Sequence, residues 1–171
     1  MKSRTIPVKE SVLLTTLTGP WEINFPAELG APEKAELANL ESWTASTEEG
    51  IKYFSGTATY KKTITAPKGW FTEGTKIILD LGTVCDLAEV TVNGQPAGVL
   101  WNAPFRTNIT GLLKKGTNTI EIKVTNEWTN RLAGDQLADA ANKILKSPLR
   151  VFGGRGLNDS GLLGPVTIHK E

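Results

Sequence analysis

The sequence predicts an all-β protein: an antiparallel β-sandwich of jelly-roll type, with about eight strands and one short helix. Three observations carry this reading. Apolar residues recur with a period of two along most of the chain, as they do in strands with one face on a core and one in water. The 17 glycines and nine prolines fall mostly between those runs, where turns belong. The 171 residues suit one domain, which at that size buries roughly 70% of its unfolded surface without staples.

The elements follow in order. Residues 1–18 form an N-terminal extension to a single sandwich spanning 19–171. Trp21, Ile23 and Phe25 alternate with Glu22 and Asn24, which puts Trp21 on the core face. Residues 27–50 are acidic and Ala-rich, with Pro26 and Pro32, and read as a long loop with a helical turn around 33–40. Thr57–Ile64 is strand-like, although Lys62 shares a face with Ala58, Tyr60 and Ile64 and calls for an edge position or a snorkelling side chain. Ile77, Leu79 and Leu81 form the next face, then Ala88, Val90 and Val92. Asn93-Gly94 tolerates positive φ at both positions and reads as a tight hairpin into Val99–Trp101. Lys114–Asn118 is a polar turn leading into Ile120, Ile122 and Val124. Gly134, Asp135, Leu137, Ala138, Ala141, Ile144 and Leu145 read as a short amphipathic helix over 134–146. A Gly/Ser/Pro-rich stretch with Arg150 and Arg155 follows over 147–164, and Val166 and Ile168 close the sandwich. No internal repeat or linker divides the chain.

Composition excludes several function classes. The 19 basic and 18 acidic residues leave a net charge of +1, and like charges run no longer than pairs; a nucleic-acid partner calls for a basic stripe. The single cysteine, Cys85, excludes an intrachain disulfide, and with His169 as the only histidine it excludes zinc sites of several His or Cys ligands. No window of 18 apolar residues crosses a membrane, so no membrane partner is expected. The basic start Met1–Arg4 is not followed by the apolar stretch of a signal peptide.

Several segments together are specific. They are Gly19-Pro20-Trp21-Glu22-Ile23-Asn24-Phe25, Ser55-Gly56-Thr57-Ala58-Thr59-Tyr60, Leu79-Asp80-Leu81-Gly82, and Ala88-Glu89-Val90-Thr91-Val92-Asn93-Gly94. Gly98–Arg106, Val124–Leu132 and Ser160–Val166 complete the set. In this order the chain resembles, from about 19 to 168, the C-terminal galactose-binding-like jelly roll of α-L-rhamnosidase-type enzymes of glycoside hydrolase family 106. The sugar-binding domain of the β-galactosidase/β-glucuronidase type is a more distant relative. The resemblance implies a non-catalytic accessory domain, because the hydrolytic carboxylates of such enzymes belong to a separate domain. It also implies an exported parent enzyme, and as partners a carbohydrate, the parent's catalytic domain, or both. No cofactor is implied beyond a structural calcium ion of the kind such sandwiches often hold. A purely structural interdomain module without ligand, and a small autonomous glycosidase, are the alternative readings.

Sugar recognition needs flat aromatic faces and planar hydrogen-bonding groups. The candidates are Trp101, Asn102, Arg106, Trp128, Asn130 and Arg131. Trp101 ends the Ala97/Val99/Trp101 face and is either a core plug or the rim of a binding surface. Trp128 ends the Val124 face with Asn126, Asn130 and Arg131 around it; this cluster either meets hydroxyls or staples the loop. Trp43, Tyr53 and Trp70-Phe71 lie in loops or strand ends, where exposure would indicate a glycan or domain surface. Hydrolysis would need two carboxylates roughly 5 Å apart for retention or 6.5–9.5 Å apart for inversion. Asp80, Asp86, Glu127 and Asp159 lie near strand ends and could meet at one rim, but no spacing singles out a pair. His169 reads as a solvated strand position, and Cys85 as a small packed hydrophobe.

Overall fold

The alternating runs become strands of three antiparallel sheets in the computed structural model, which describes residues 11–138, 143–148 and 156–171. In chain order the strands are β1 (Val12–Thr16), β2 (Trp21–Asn24), β3 (Lys34–Leu37), β4 (Thr57–Ala66), β5 (Ile77–Asp80) and β6 (Thr83–Cys85). There follow β7 (Leu87–Val92), β8 (Gln95–Leu100), β9 (Arg106–Asn108), β10 (Gly116–Thr125), β11 (Gly161–Gly164) and β12 (Thr167–Lys170). A six-stranded sheet has the order β3-β2-β4-β10-β7-β8, a four-stranded sheet the order β1-β12-β5-β9, and β11 pairs with β6 across one end. The fold is the expected all-β sandwich, with more strands than the alternation announced. The additional ones, β1, β3, β6, β9 and β11, have three to five residues each, too short for a period to declare itself. β1 pairs with β12 from Val12↔Lys170 to Thr16↔Thr167, so the sheet takes in residues placed by sequence in the extension.

The longest ladder sets the sandwich. β4 and β10 pair without interruption over ten residues, Thr57↔Thr125 to Ala66↔Gly116. Ala58, Tyr60 and Ile64 meet Val124, Ile122 and Asn118 on the same inner face. Lys62 sits in that inward row and snorkels. Its Nζ lies 5.4 Å from the centre of the Trp21 ring and donates to the carbonyls of Thr18 and, at 2.6 Å, Pro20. Opposite, Ile77 and Leu79 of β5 and Ile168 of β12 close the core. Asn93 (φ 50°) and Gly94 (φ 78°) make the β7–β8 hairpin with both residues left-handed, as the sequence implied.

One end of the core is aromatic. Trp43, which heads a short 3-10 turn (Trp43–Ala45), is 2% exposed and packs edge-on to Phe25 and Phe54. Its Nε1 donates to the Tyr60 hydroxyl at 2.6 Å, and the Leu162 N–H donates to the same oxygen at 3.0 Å. Trp70 is also buried. These two tryptophans are therefore core residues brought in by loops, not surface aromatics.

Two helical expectations are corrected. Residues 34–37 form strand β3 on the edge of the large sheet, paired Trp21↔Leu37 to Asn24↔Lys34, because that edge offers backbone partners that an isolated turn lacks. Helix α1 spans Thr129–Leu137, starting five residues before the expected 134–146. Gly134-Asp135 looked like a helix start, yet both lie inside it. Gly134 passes so close to Tyr53 that a Cβ would meet the ring at 2.7 Å. Asp135 accepts from the Ile144 and Leu145 N–H groups at 3.1 and 2.7 Å, capping the returning chain rather than its own helix. Ala141, Arg150 and Arg155 lie outside the described residues. Among the described residues no helix is long and apolar enough to cross a membrane.

Candidate functional site

Strand register gathers the interesting loops at one end of the large sheet. Thr125 closes β10 opposite Thr57 of β4 and Leu87 of β7, and Leu100 closes β8 opposite Ala88. The residues just beyond these ends, Asp86, Asn126–Trp128 and Trp101, therefore share one rim. Asn126 locks it: its Nδ2 donates to the Phe54 carbonyl at 2.9 Å and its Oδ1 accepts from the Gly56 N–H at 2.9 Å. The Asp86 N–H donates to the Thr125 carbonyl at 2.9 Å, which carries β7 into the same corner.

A pocket of about 250 Å³ opens there, lined by Asp86, Glu127, Thr129 and Asn130 on one side and Asn158, Asp159 and Ser160 on the other. Asn130 holds its wall. Buried to 2% exposure, it donates from Nδ2 to the Asn158 carbonyl and the Ser160 hydroxyl, both at 2.7 Å, and accepts the Asn158 N–H at 2.9 Å. The Glu127 carboxylate accepts from Asn158 Nδ2 at 3.4 Å. Desolvation raises the Asp86 carboxyl above its ordinary range, and the charge of Glu127 adds to this, partly opposed by a backbone N–H of Glu127. Burial likewise raises the Cys85 thiol, reinforced by the charges of Asp86 and Asp159. Three of the four acids placed near strand ends by sequence thus meet at one rim. Asp80 does not: it pairs with Arg106 on the other sheet at 3.3 Å. Among the described residues no group of three or more His, Cys, Asp or Glu is placed to hold a metal ion.

The structure separates the six residues singled out by sequence. Trp128 is 64% exposed and Trp101 73% exposed. Trp101 escapes the core because β8 carries a bulge: Gly98 faces Val90, but Pro96 faces Thr91. The extra residue shifts the alternation by one, so Leu100 turns inward and Val99 and Trp101 turn to solvent. Asn102 is exposed and donates to the Ala103 carbonyl at 3.2 Å. Arg106 begins β9 and is held by Asp80 and, at 2.8 Å, by Glu171. Arg131 is buried in an ion pair with Asp135 at 3.0 Å, its guanidinium 6.0 Å from the Tyr53 ring centre. Asn130 and Arg131, expected as hydroxyl partners, instead build the support behind the rim.

The model of the glycosyl hydrolase 2 galactose-binding domain-like family matches residues 40–152, which leaves β1, β2 and β3 before the match and β11 and β12 after it. The chain belongs to that family. This galactose-binding-like domain superposes on part of a rhamnosidase from Novosphingobium sp. PP1Y with a TM-score of 0.90 and 43% identity, over 98% of the domain and 16% of that chain. It is 49% identical over 120 residues to a putative β-glucuronidase of Formosa agariphila, covering 70% of the domain and 10% of that protein. A β-D-glucuronidase of Dictyoglomus thermophilum shares the fold, with a TM-score of 0.64 at 22% identity over 94% of the domain and 28% of that chain. The domain thus spans about a sixth or less of the first two relatives. It is an accessory-type β-sandwich of glycoside hydrolases, as the motifs implied.

Three lining residues of the domain's pocket, Thr129, Asn158 and Ser160, were not among the sequence candidates. The signal available was the polar run Asn158-Asp159-Ser160 directly before the Gly161–Val166 motif. What brings it to Glu127 is Asn130, across 28 residues of chain.

Proposed function

We propose that this domain is the glycan-binding accessory module of a longer, rhamnosidase-type glycoside hydrolase, and that sugar is held at the Trp128 rim. The carrying observation is an exposed indole standing between two residues, Glu127 and Thr129, that line a pocket of hydrogen-bonding groups. An indole offers the flat face that the C–H side of a pyranose covers, and carboxylates, amides and hydroxyls beside it suit sugar hydroxyls. At about 250 Å³ the pocket falls below the roughly 300–1,000 Å³ of sites for drug-sized ligands, a scale that favours one sugar ring over a buried oligosaccharide.

Titration of the domain with a monosaccharide panel, followed by Trp fluorescence and calorimetry, tests this. Trp128→Ala should abolish the signal while leaving the unfolding midpoint within a degree or two of the parent. Unchanged affinity in that variant refutes the reading. A second reading rests on a different observation: Val99 of edge strand β8 and Trp101 just beyond its end are both exposed. An apolar pair of this kind suits a contact that braces the catalytic domain. In the full-length enzyme Trp101→Ala would then lower thermal stability without touching sugar binding by the isolated domain.

A further inference from the structure

Two aromatic rings stand out at one end of the large sheet. Trp101 and Trp128 are the only exposed aromatic side chains among the described residues. Trp128 follows β10 and Trp101 follows β8, and only β7 lies between those two strands. The ends of β10 and β8 are therefore two strand spacings apart, about 10 Å, a length that two linked pyranose rings cover. The position between them is polar: Asp86, which leads into β7, lines the pocket beside Trp128. Asn102, next to Trp101, presents an exposed amide.

Building on the sugar-binding reading above, we infer that the rim takes a linear oligosaccharide, whose terminal ring enters the Trp128 pocket while a further ring stacks on Trp101 across the end of β7. At about 250 Å³ the pocket suits one ring, so the rest of a sugar chain runs over the surface. A pyranose lays its C–H face on an indole and turns its hydroxyls sideways, here toward Asp86 and Asn102. A protein contact buries a patch with an apolar, charge-depleted centre. Two separate indoles with a carboxylate and an amide between them match instead the alternating apolar faces and hydroxyl edges of a sugar chain. Trp101 thus belongs to the glycan surface and not to a brace against a catalytic domain. Because the rings are joined, the second stacking contact forms within a complex already made, and it should tighten binding about tenfold.

The test titrates the 171-residue chain with glucose, galactose and rhamnose and with the linear homodimer, trimer and tetramer of each. In whichever series binds, affinity should rise about tenfold from monomer to trimer. Trp101→Ala should remove that gain and leave the monomer's affinity unchanged, and Trp101→Phe should keep part of it. Trp128→Ala should weaken monomer and oligomer alike. In proton–nitrogen NMR spectra the monomer should shift the Trp128 indole N–H alone, and the trimer that of Trp101 as well. The buried Trp21, Trp43 and Trp70 serve as fixed references. Equal affinity for monomer and trimer, or a gain with length that survives in Trp101→Ala, overturns the two-ring platform, leaves the sugar site standing and returns Trp101 to the domain contact. Failure of every monomer and oligomer to bind, or binding that ignores Trp128→Ala, overturns the site and the platform together.

Discussion

Removing one buried oxygen, that of Tyr60, should loosen both the Trp43 turn and strand β11 from the large sheet at once. Tyr60 is fully buried in β4, and its hydroxyl accepts from Trp43 Nε1 at 2.6 Å and from the Leu162 N–H at 3.0 Å. A phenolic oxygen has room for both donors. Tyr60→Phe keeps the ring and leaves two N–H groups buried without acceptors, each worth about 1–3 kcal/mol. Relief of the hydroxyl's own burial offsets part of this, so a net loss of about 3 kcal/mol is expected, or about 6–12 °C in a domain of this length. Urea unfolding followed by Trp fluorescence should show a lower midpoint at unchanged slope, and the Leu162 amide should exchange faster. The alkaline limb gives an independent check. Burial raises the Tyr60 phenol above its ordinary range, with the two donors partly opposing. The unfolded phenol ionises near pH 10, so the stability tied to the neutral phenol is present below about pH 10 and is lost as pH rises above it. The variant lacks this loss, and its deficit should shrink by about 1 kcal/mol between pH 10 and 11. A deficit under about 0.5 kcal/mol at pH 7, or a gap that does not narrow in alkali, would refute the account of Tyr60 as a shared acceptor.

Two further perturbations follow from close contacts. Gly161→Ala would place a Cβ 2.6 Å from the Trp43 ring and 2.7 Å from the Tyr60 oxygen at a φ of +93°, and should cost about 3 kcal/mol or more. Gly74→Ala, with positive φ but open space, should cost only about 1 kcal/mol, and equal losses in chemical denaturation would remove the steric argument. Asp135→Ala strands the buried Arg131 and uncaps Ile144 and Leu145; a loss of about 3–5 kcal/mol is expected. Hydrogen exchange should quicken at those two amides, and protection there equal to the parent's would exclude the capping role.

The sheet ladders were legible because alternation survives in the long strands: β10 and β4 each carry ten residues with few parity errors. Asn93-Gly94 named its own turn through the left-handed backbone it tolerates. Trp101 was ambiguous for a local reason. Parity counted from Ala97 put it inside, and the bulge between the Val90 and Thr91 pairings reverses parity at that point. No residue type announces such a bulge. Asn130 and Arg131 were identified as a cluster, yet their partners, Ser160 and Asp135, are fixed by tertiary closure, so sequence could not tell hydroxyl ligands from staples. The three acids at the rim were gathered correctly by their common position at strand ends, while Asp80, at the end of β5, was drawn to Arg106 by the pairing of β5 with β9. The helix was displaced because Asp135 caps a segment nine residues ahead of it, an arrangement with the same residue signature as an ordinary helix start.

The pairing of β1 with β12 has a mechanical consequence. Val12 faces Lys170 at the open end of the ladder, and the pairing runs from there to Thr16↔Thr167. A longer polypeptide can therefore lead in and out across a single interstrand gap of about 5 Å. Tension applied between those two points would open β1 from β12 one hydrogen bond at a time, as a zip, instead of shearing the whole row together.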